Sequence, residues 1–352
     1  MQLALTDNRT VVMLVTHLER LQKTGIKRLG KKDRFRYVAA NGDKLKRDDL
    51  ERIRALAIPP AWTEVAINPA AGGMLQVIGK DDAGRWQYVY HERHVRKREQ
   101  RKFKRLMKFC EAMPEMRKVV THNLRKRDLS RERVMACILR ILSTCFLRAG
   151  SQVYANENGS YGLATLRPKH VNIRGDLVEF KFPGKGQIVH QREIRDRAVA
   201  QIIRSLLRHR ARAVFKYQNG DGLFVNIRRR DINLYIKEIM GERFTSKDFR
   251  TWAATLICGC ALARIGVEHR EPAASRKRKA VKAVKETAGI IGNTPAVCRS
   301  SYICPEVIKS FEKGRVIDQY VESPEALINH RGVRLRKAER SLLRLLRQRA
   351  SK

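Results

Sequence analysis

The amino-acid sequence predicts an α+β protein: a small β-rich N-terminal domain, then a larger and mainly α-helical domain with a β-hairpin insert. Three observations carry this. The first hundred residues hold short β-prone runs broken by glycine-containing turns. From about Arg101 onward, apolar residues fall at helical spacing. Between roughly His170 and Gln191, short runs and turn residues return inside that helical region. A chain of 352 residues is long enough for two domains with separate cores. The expected divisions are residues 1–98, 99–330 and a basic tail or helix over 331–352.

In chain order, Phe35–Val38, Glu64–Ile67 and Gln87–Tyr90 read as strands, broken by Asn41-Gly42, Gly72-Gly73 and Ala83-Gly84. One helix interrupts them, from Arg47 to Leu56, ending ahead of Pro59-Pro60. From Arg93 to Lys108, nine of sixteen residues are Lys or Arg and only Glu99 is acidic, which marks the crossing between domains. Val134, Met135, Ile138, Leu139, Ile141, Leu142, Cys145 and Phe146 form a broad apolar stripe with Arg148 at its C-terminal end. The insert turns at Arg174-Gly175-Asp176 and again at Pro183-Gly184-Lys185-Gly186. Helices resume near Glu193, and Thr245 or Ser246 caps the helix bearing Arg250. Pro272 to Lys279 reads as a connection. Arg331 to Lys352 holds nine basic residues and one acid, Glu339, with Leu335, Ala338, Leu342, Leu345 and Leu346 spaced as a basic amphipathic helix.

Composition narrows the function. Lys and Arg number 75 against 35 acids, a net charge of +40, while 43% of residues are apolar, too many for a disordered chain. Such an excess repels itself unless a polyanion neutralises it. A basic binder of the ribosomal type or a membrane-surface protein are the plainer alternatives. Here the charge is threaded through segments with core periodicity, as in a folded enzyme that encloses nucleic acid. The seven cysteines are odd in number and lie mostly in apolar helical patterns, so they read as buried free thiols of a reducing cytoplasm. Cys258-Gly259-Cys260 has the wrong spacing for a zinc pair. No apolar run approaches transmembrane length. The expectation is a soluble cytoplasmic protein, at the nucleoid if bacterial.

Chemistry concentrates in four places. Gly292 to Tyr302 offers a tyrosine nucleophile, and Arg148, Lys185 and Arg250 lie upstream of it. Displacing a 5′ oxygen from a phosphodiester needs a nucleophile, charge stabilisation on two non-bridging oxygens, and a proton for a poor leaving group. Tyr302 can attack if a positive field favours its phenolate, whose reference pKa is about 10. Arg148 and Arg250 can each grip two oxygens with a planar, permanent charge. Lys185, at a hairpin tip between glycines, can give a proton. Asn293 can donate a hydrogen bond but cannot titrate. Read singly, each has a plainer explanation: a packed tyrosine, a helix-end cation, surface basic residues, a turn asparagine. No cluster of acids has metal-ligand spacing, and Gly25 to Lys32 imitates a phosphate loop without its final Ser or Thr. No cofactor is expected.

Together these segments resemble the type IB DNA topoisomerases of the poxvirus and bacterial branch, from about Gly25 to Lys309. Leu56 to Trp62 and Gly84 to His91 resemble that family's N-terminal signatures. Arg148-Ala149-Gly150, Glu157 to Leu163 and Thr165-Leu166 resemble the surroundings of its first catalytic arginine. Phe182 to Lys185 resembles its lysine hairpin, and Lys247-Asp248-Phe249-Arg250 its second arginine. The resemblance implies a helical domain of the tyrosine recombinase and type IB topoisomerase type. It implies Tyr302 as nucleophile, Arg148 and Arg250 as phosphate ligands and Lys185 as general acid. Asn293 stands where viral and eukaryotic members have histidine. Gln87, Tyr88, Tyr90 and Tyr154 match DNA-facing positions, and Arg98 and Lys247 complete the expected DNA-contacting set.

The implied protein is a monomeric clamp on double-stranded DNA, with no membrane partner. It would relax supercoils of either sign through a 3′-phosphotyrosyl intermediate, without ATP or required metal. A tyrosine site-specific recombinase is the nearest alternative, although such enzymes usually show His-x-x-Arg where this chain has Lys247-Asp-Phe-Arg250. A non-enzymatic DNA-packaging protein is the third.

Overall fold

The computed structural model describes residues 8–30, 34–323 and 333–350. Two compact units divide the chain, Met1–Lys102 and Phe103–Lys352.

The first unit contains α1 (Asn8–Thr24), β1 (Ile26–Leu29), β2 (Arg36–Val38), α2 (Arg47–Ala55), β3 (Thr63–Ile67), β4 (Leu75–Lys80) and β5 (Trp86–Tyr90). The strands form one antiparallel sheet in the order β2-β1-β3-β4-β5. Ile26, Val65, Ile67 and Val77 pack with Ile53 of α2, whereas Ala66, Leu75 and Ile78 pack with Leu21 of α1. Alternate strand residues therefore reach a helix on either face. The sequence reading identified β2, β3, β5 and α2 but not α1, β1 or β4. In β4 the first five residues are all buried, so it lacks the alternation that reveals a one-sided strand. The Gly25–Gly30 part of the phosphate-loop imitation is simply the entry into β1 and its end; Lys31 and Lys32 lie outside the described residues.

Helix α3 (Glu92–Asn123) begins in the first unit and continues as the first element of the second. Then come α4 (Arg131–Cys145), α5 (Gln152–Glu157), β6 (Val171–Arg174), β7 (Leu177–Pro183), β8 (Val189–Arg195) and α6 (Arg197–Arg208). A short hairpin, β9 (Lys216–Gln218) and β10 (Phe224–Asn226), precedes α7 (Arg229–Met240) and α8 (Ser246–Ile265). The chain ends through α9 (Ala273–Ile291), α10 (Pro295–Ser301), α11 (Pro305–Glu312) and α12 (Val333–Ala350). Helix α8 is the axis of this unit. From Phe249 to Ala263 every residue is buried, as expected of a helix surrounded by others. Its start is fixed by Thr245, whose backbone N–H and hydroxyl both donate to Asp248, at 2.9 and 3.0 Å.

Three readings need correction or trimming. Helices resume at Arg197 rather than near Glu193, because Glu193 pairs with Glu179 in the β7–β8 ladder. The cap is Asp196, which accepts the Ala198 N–H at 3.0 Å. Pro272 to Lys279 is no connection: Pro272 caps α9, and its alanines, lysines and arginines are strong helix formers. In the terminal helix Ala338, Leu342, Leu345 and Leu346 are buried, while the side chain of Leu335 lies outside the described residues. Buried Glu339 of that helix takes a bidentate pair from Arg117, at 2.7 and 2.8 Å, and a bond from Trp252 Nε1 at 3.3 Å. All seven cysteines are buried, and none is in a disulfide. Among the described residues no helix is long and apolar enough to cross a membrane.

Candidate active site

Four of the five residues expected to carry chemistry meet at the C-terminal end of α9. Gly292 takes the left-handed conformation there, φ +68°. It ends the helix and turns the chain into Asn293, Thr294 and α10, where Thr294 caps the new helix and Pro295 fills its first position. Tyr302 closes α10, with its N–H on the Cys298 carbonyl at 3.0 Å. Its own carbonyl accepts from Thr255 Oγ1 at 3.2 Å, and the Cys304 N–H donates to the same hydroxyl at 3.1 Å. A fully buried side chain of α8 thus pins the Tyr302 backbone.

The last carbonyls of α9 have no partner within the helix, and arginines take them in turn. Arg192 Nη2 donates to Ile290. Arg250 Nη2 donates to Ile291 at 2.8 Å, and Arg148 Nη2 to Gly292 at 3.3 Å. Orphan acceptors at the negative end of a helix are natural seats for guanidinium groups. Arg250, only 4% exposed, also donates through Nη1 to the carbonyl of Phe146, the left-handed residue that ends α4. Arg148 follows two residues later. Its own carbonyl and that of Ala149 accept from Leu163 at 3.0 Å and Ala164 at 2.8 Å, which locks the backbone. Gly150, φ +86°, lies against Gly162 so closely that a Cβ would stand 3.0 Å from its carbonyl carbon. The Arg-Ala-Gly motif is therefore a backbone requirement as well as a charge.

Side-chain geometry leaves two donors of this cluster without a partner. Arg148 Nη2 gives a 2.6 Å bond to Asn293 Oδ1, which orients the amide and leaves Asn293 Nδ2 buried with no acceptor. Arg250 Nε is likewise buried and unpaired, and its guanidinium carbon lies 5.5 Å from the Tyr302 ring centre. Buried donors normally have partners, so an orphan on Arg250 against the Tyr302 ring and another on the asparagine that holds Arg148 mark a place for an acceptor. Burial alone would push the Tyr302 phenol up. The charges of Arg250, Arg148 and Lys247, with a hydrogen bond from Arg250, outweigh it and the net direction is down. Desolvation lowers both arginines, but guanidinium is basic enough to stay charged.

The remaining expected residues fall elsewhere. Lys185 is exposed at the β7–β8 turn and makes no hydrogen bond to the cluster. The glycines around it differ: Gly186 is open at φ +72°, but Gly184 is packed on His190. Lys247 is exposed near the start of α8, and its charge acts on Tyr302. Tyr154 lies partly exposed on α5. Gln87, Tyr88, Tyr90 and Arg98 belong to the first unit. Gln87 Nε2 donates to Asp81 at 2.8 Å, and Tyr88 and Tyr90 pack partly on the α1 side of the sheet. Tyr90 stacks on Tyr88 and His94 at 6.4 and 5.6 Å between ring centres, with Arg98 over its ring at 5.8 Å. Its buried hydroxyl has no partner, and burial pushes it up to about 12. Sequence reasoning missed His190, Arg192 and Thr255. A lone histidine on a strand, one arginine among many and a threonine in an apolar helix carry no signal of their own.

Comparison with known proteins places the chain in a family. The family model for eukaryotic DNA topoisomerase I, catalytic core, matches residues 91–322. That for the bacterial DNA topoisomerase IB N-terminal domain matches residues 34–81. The chain is 32% identical to DNA topoisomerase 1B of Acanthamoeba polyphaga mimivirus over 317 residues, 87% of this chain and 90% of that protein. It is 24% identical to DNA topoisomerase 1B of Vaccinia virus (strain Copenhagen) over 274 residues, 76% of this chain and 83% of the relative. With a catalytic-core match over most of its length and a mimivirus relative covered almost end to end, the chain belongs to the type IB DNA topoisomerases.

Proposed function

We propose that this enzyme relaxes positive and negative supercoils in double-stranded DNA by cutting and resealing one strand through Tyr302, and that its helical unit has the tyrosine recombinase type of fold. The observation that carries the chemistry is the pairing of a half-buried phenol with the buried, partly unpaired guanidinium of Arg250. A phosphate entering beside Tyr302 would take its non-bridging oxygens to Arg250, Arg148 and Asn293 Nδ2. These contacts strengthen as charge grows on the five-coordinate phosphorus, which is where stabilisation accelerates a reaction. Tyr302 Oη forms a bond to phosphorus while the bond to the 5′ oxygen breaks. The phenol proton leaves to solvent, and Lys185, with its hairpin turn closed on DNA, gives a proton to the 5′ oxygen. The 3′-phosphotyrosyl link keeps the ester energy, so the free 5′ hydroxyl can attack after rotation. Neither ATP nor a metal ion is required by this sequence of steps.

A net charge of +40 supports a monomer that binds duplex through many phosphate contacts, with affinity falling steeply as salt rises. Gln87, Tyr88, Tyr90, Arg98, Tyr154 and Lys247 are the proposed DNA contacts, and the cytoplasm, at the nucleoid in a bacterium, is the proposed location. Relaxation of a supercoiled plasmid in EDTA tests the activity, with Tyr302→Phe as the decisive variant. The variant should bind DNA within about twofold of the parent and form no covalent adduct. Strand exchange between marked sites would favour a recombinase. Undiminished topological effects in Tyr302→Phe would favour packaging.

A further inference from the structure

The imidazole of His190 belongs to none of the expected roles, yet it touches three of the segments that make the site. Its strand position is fixed by pairing with Phe182 across β7 and β8. The side chain is 6% exposed, and its Nε2 lies 3.2 Å from Arg148 Nη1. Two glycines hold the ring from different sides. A Cβ on Gly184, immediately before Lys185, would fall 2.2 Å from His190 Cδ2 and 2.5 Å from Nε2. A Cβ on Gly292, immediately before Asn293, would fall 2.4 Å from Cε1 and 3.0 Å from Nδ1. Real contacts of that length do not occur, so both positions must be glycine for the ring to stay where it is.

The chemistry of the contact follows from its partner. Arg148 has only donors, so Nε2 must accept, which requires a neutral ring with its proton on Nδ1. Burial, then the charges of Arg148, Arg192 and Arg250, push the imidazole down to about 4, which keeps it neutral at physiological pH. A protonated ring would place a cation against Arg148 and lose the bond. Arg148 is thus held on three sides: by His190, by the Gly292 carbonyl and by Asn293 Oδ1.

We propose that His190 is a positioning residue that aims Arg148 at the scissile phosphate, wedged into place by Gly184 and Gly292. The inference rests on the reading of Arg148 as a phosphate ligand. It predicts that His190 acts through Arg148 and through nothing else in the reaction. Displacing a catalytic group by about 1 Å can cost roughly a hundredfold in rate, so His190→Ala should slow covalent-adduct formation by about tenfold to a hundredfold.

The test is single-turnover cleavage of a nicked-product DNA substrate, scored as protein–DNA adduct, for His190→Ala, His190→Gln, Arg148→Ala and the His190→Ala/Arg148→Ala pair. Formation of the adduct by the parent enzyme, and its loss in Tyr302→Phe, is established first, so failure of the underlying chemistry is seen separately. We expect His190→Gln, which keeps an acceptor, to recover most of the rate lost in His190→Ala. We expect His190→Ala to add less than about twofold in the Arg148→Ala background, because residues acting as one unit are not additive. Gly184→Ala supplies a second route that keeps the histidine in the chain. It should slow the reaction by pushing the ring, and should do no further harm when combined with His190→Ala. Full additivity with Arg148→Ala, or a His190→Ala rate within twofold of the parent, would overturn the proposal. So would equal loss in the Gln and Ala variants at matched thermal stability.

Discussion

Between pH 6.5 and about 4 the second unit should lose stability through His190. The fold keeps that imidazole neutral down to about 4, whereas the same side chain in an unfolded chain protonates near 6.5. Across this window the unfolded state binds more protons than the native state, so stability is complete above 6.5 and is lost as pH falls. The difference, 6.5 − 4, is 2.5, and at roughly 1.36 kcal/mol for each pKa unit it corresponds to a ceiling of about 3 kcal/mol. At 6% exposure, little of this is screened by water. Burial, with the charges of Lys169 and Arg167, also holds His170 low, so the raw pH dependence mixes several groups. Subtracting a variant removes the mixture. His190→Gln cannot titrate but keeps an amide acceptor for Arg148. Urea unfolding followed by far-ultraviolet circular dichroism, from pH 7.5 to pH 4, should show the stability of the parent minus that of the variant falling by about 3 kcal/mol. A difference that stays constant with pH would mean that the imidazole protonates as easily in the fold as outside it.

Three further outcomes are expected. The Tyr302 phenol should ionise below the pH 10 of an ordinary tyrosine; ultraviolet difference titration of the parent against Tyr302→Phe should show this, and Lys247→Met should move the transition upward by removing a favourable charge. Thr255→Val keeps the shape but strands the Cys304 N–H and removes a donor from the Tyr302 carbonyl. It should cost about 1–3 kcal/mol in urea unfolding and slow adduct formation, because an unmet buried hydrogen bond is expensive. Glu339→Ala leaves Arg117 partly buried without its bidentate partner, and chemical denaturation should register a loss of about 3–5 kcal/mol. Replacing Arg117 and Glu339 together by apolar residues should recover much of that loss.

What the sequence revealed followed from how many faces of an element are buried. The stripe from Val134 to Phe146 announces α4 because one broad side is apolar, and Gln87–Tyr90 announces β5 through its aromatic residues. Strand β4 and helix α8 lie between layers and are buried on more than one side, so neither shows a clear period, and α8 was legible only through its cap and the motif around Arg250. The beginning of α9 was hidden by Pro272, which reads as a break from the left and as a helix cap from the right. At the site, Arg148, Lys185, Arg250 and Tyr302 were legible through the motifs around them. His190 was not, because its meaning depends on two glycines 108 positions apart in the chain, 184 and 292, that only folding brings against one ring. Thr255 was equally silent, since its work is done on backbone atoms.

The arginine-capped end of α9 carries a consequence for how this protein can vary in length. Three successive peptide oxygens, at Ile290, Ile291 and Gly292, each point at a different guanidinium. Successive residues of a helix are turned by about 100°. Adding or deleting a single amino acid within α9 would therefore swing the whole set away from its partners at once. The stretch from Ala273 to Tyr302 behaves as a gauge of fixed length, and insertions that preserve the enzyme must fall outside it.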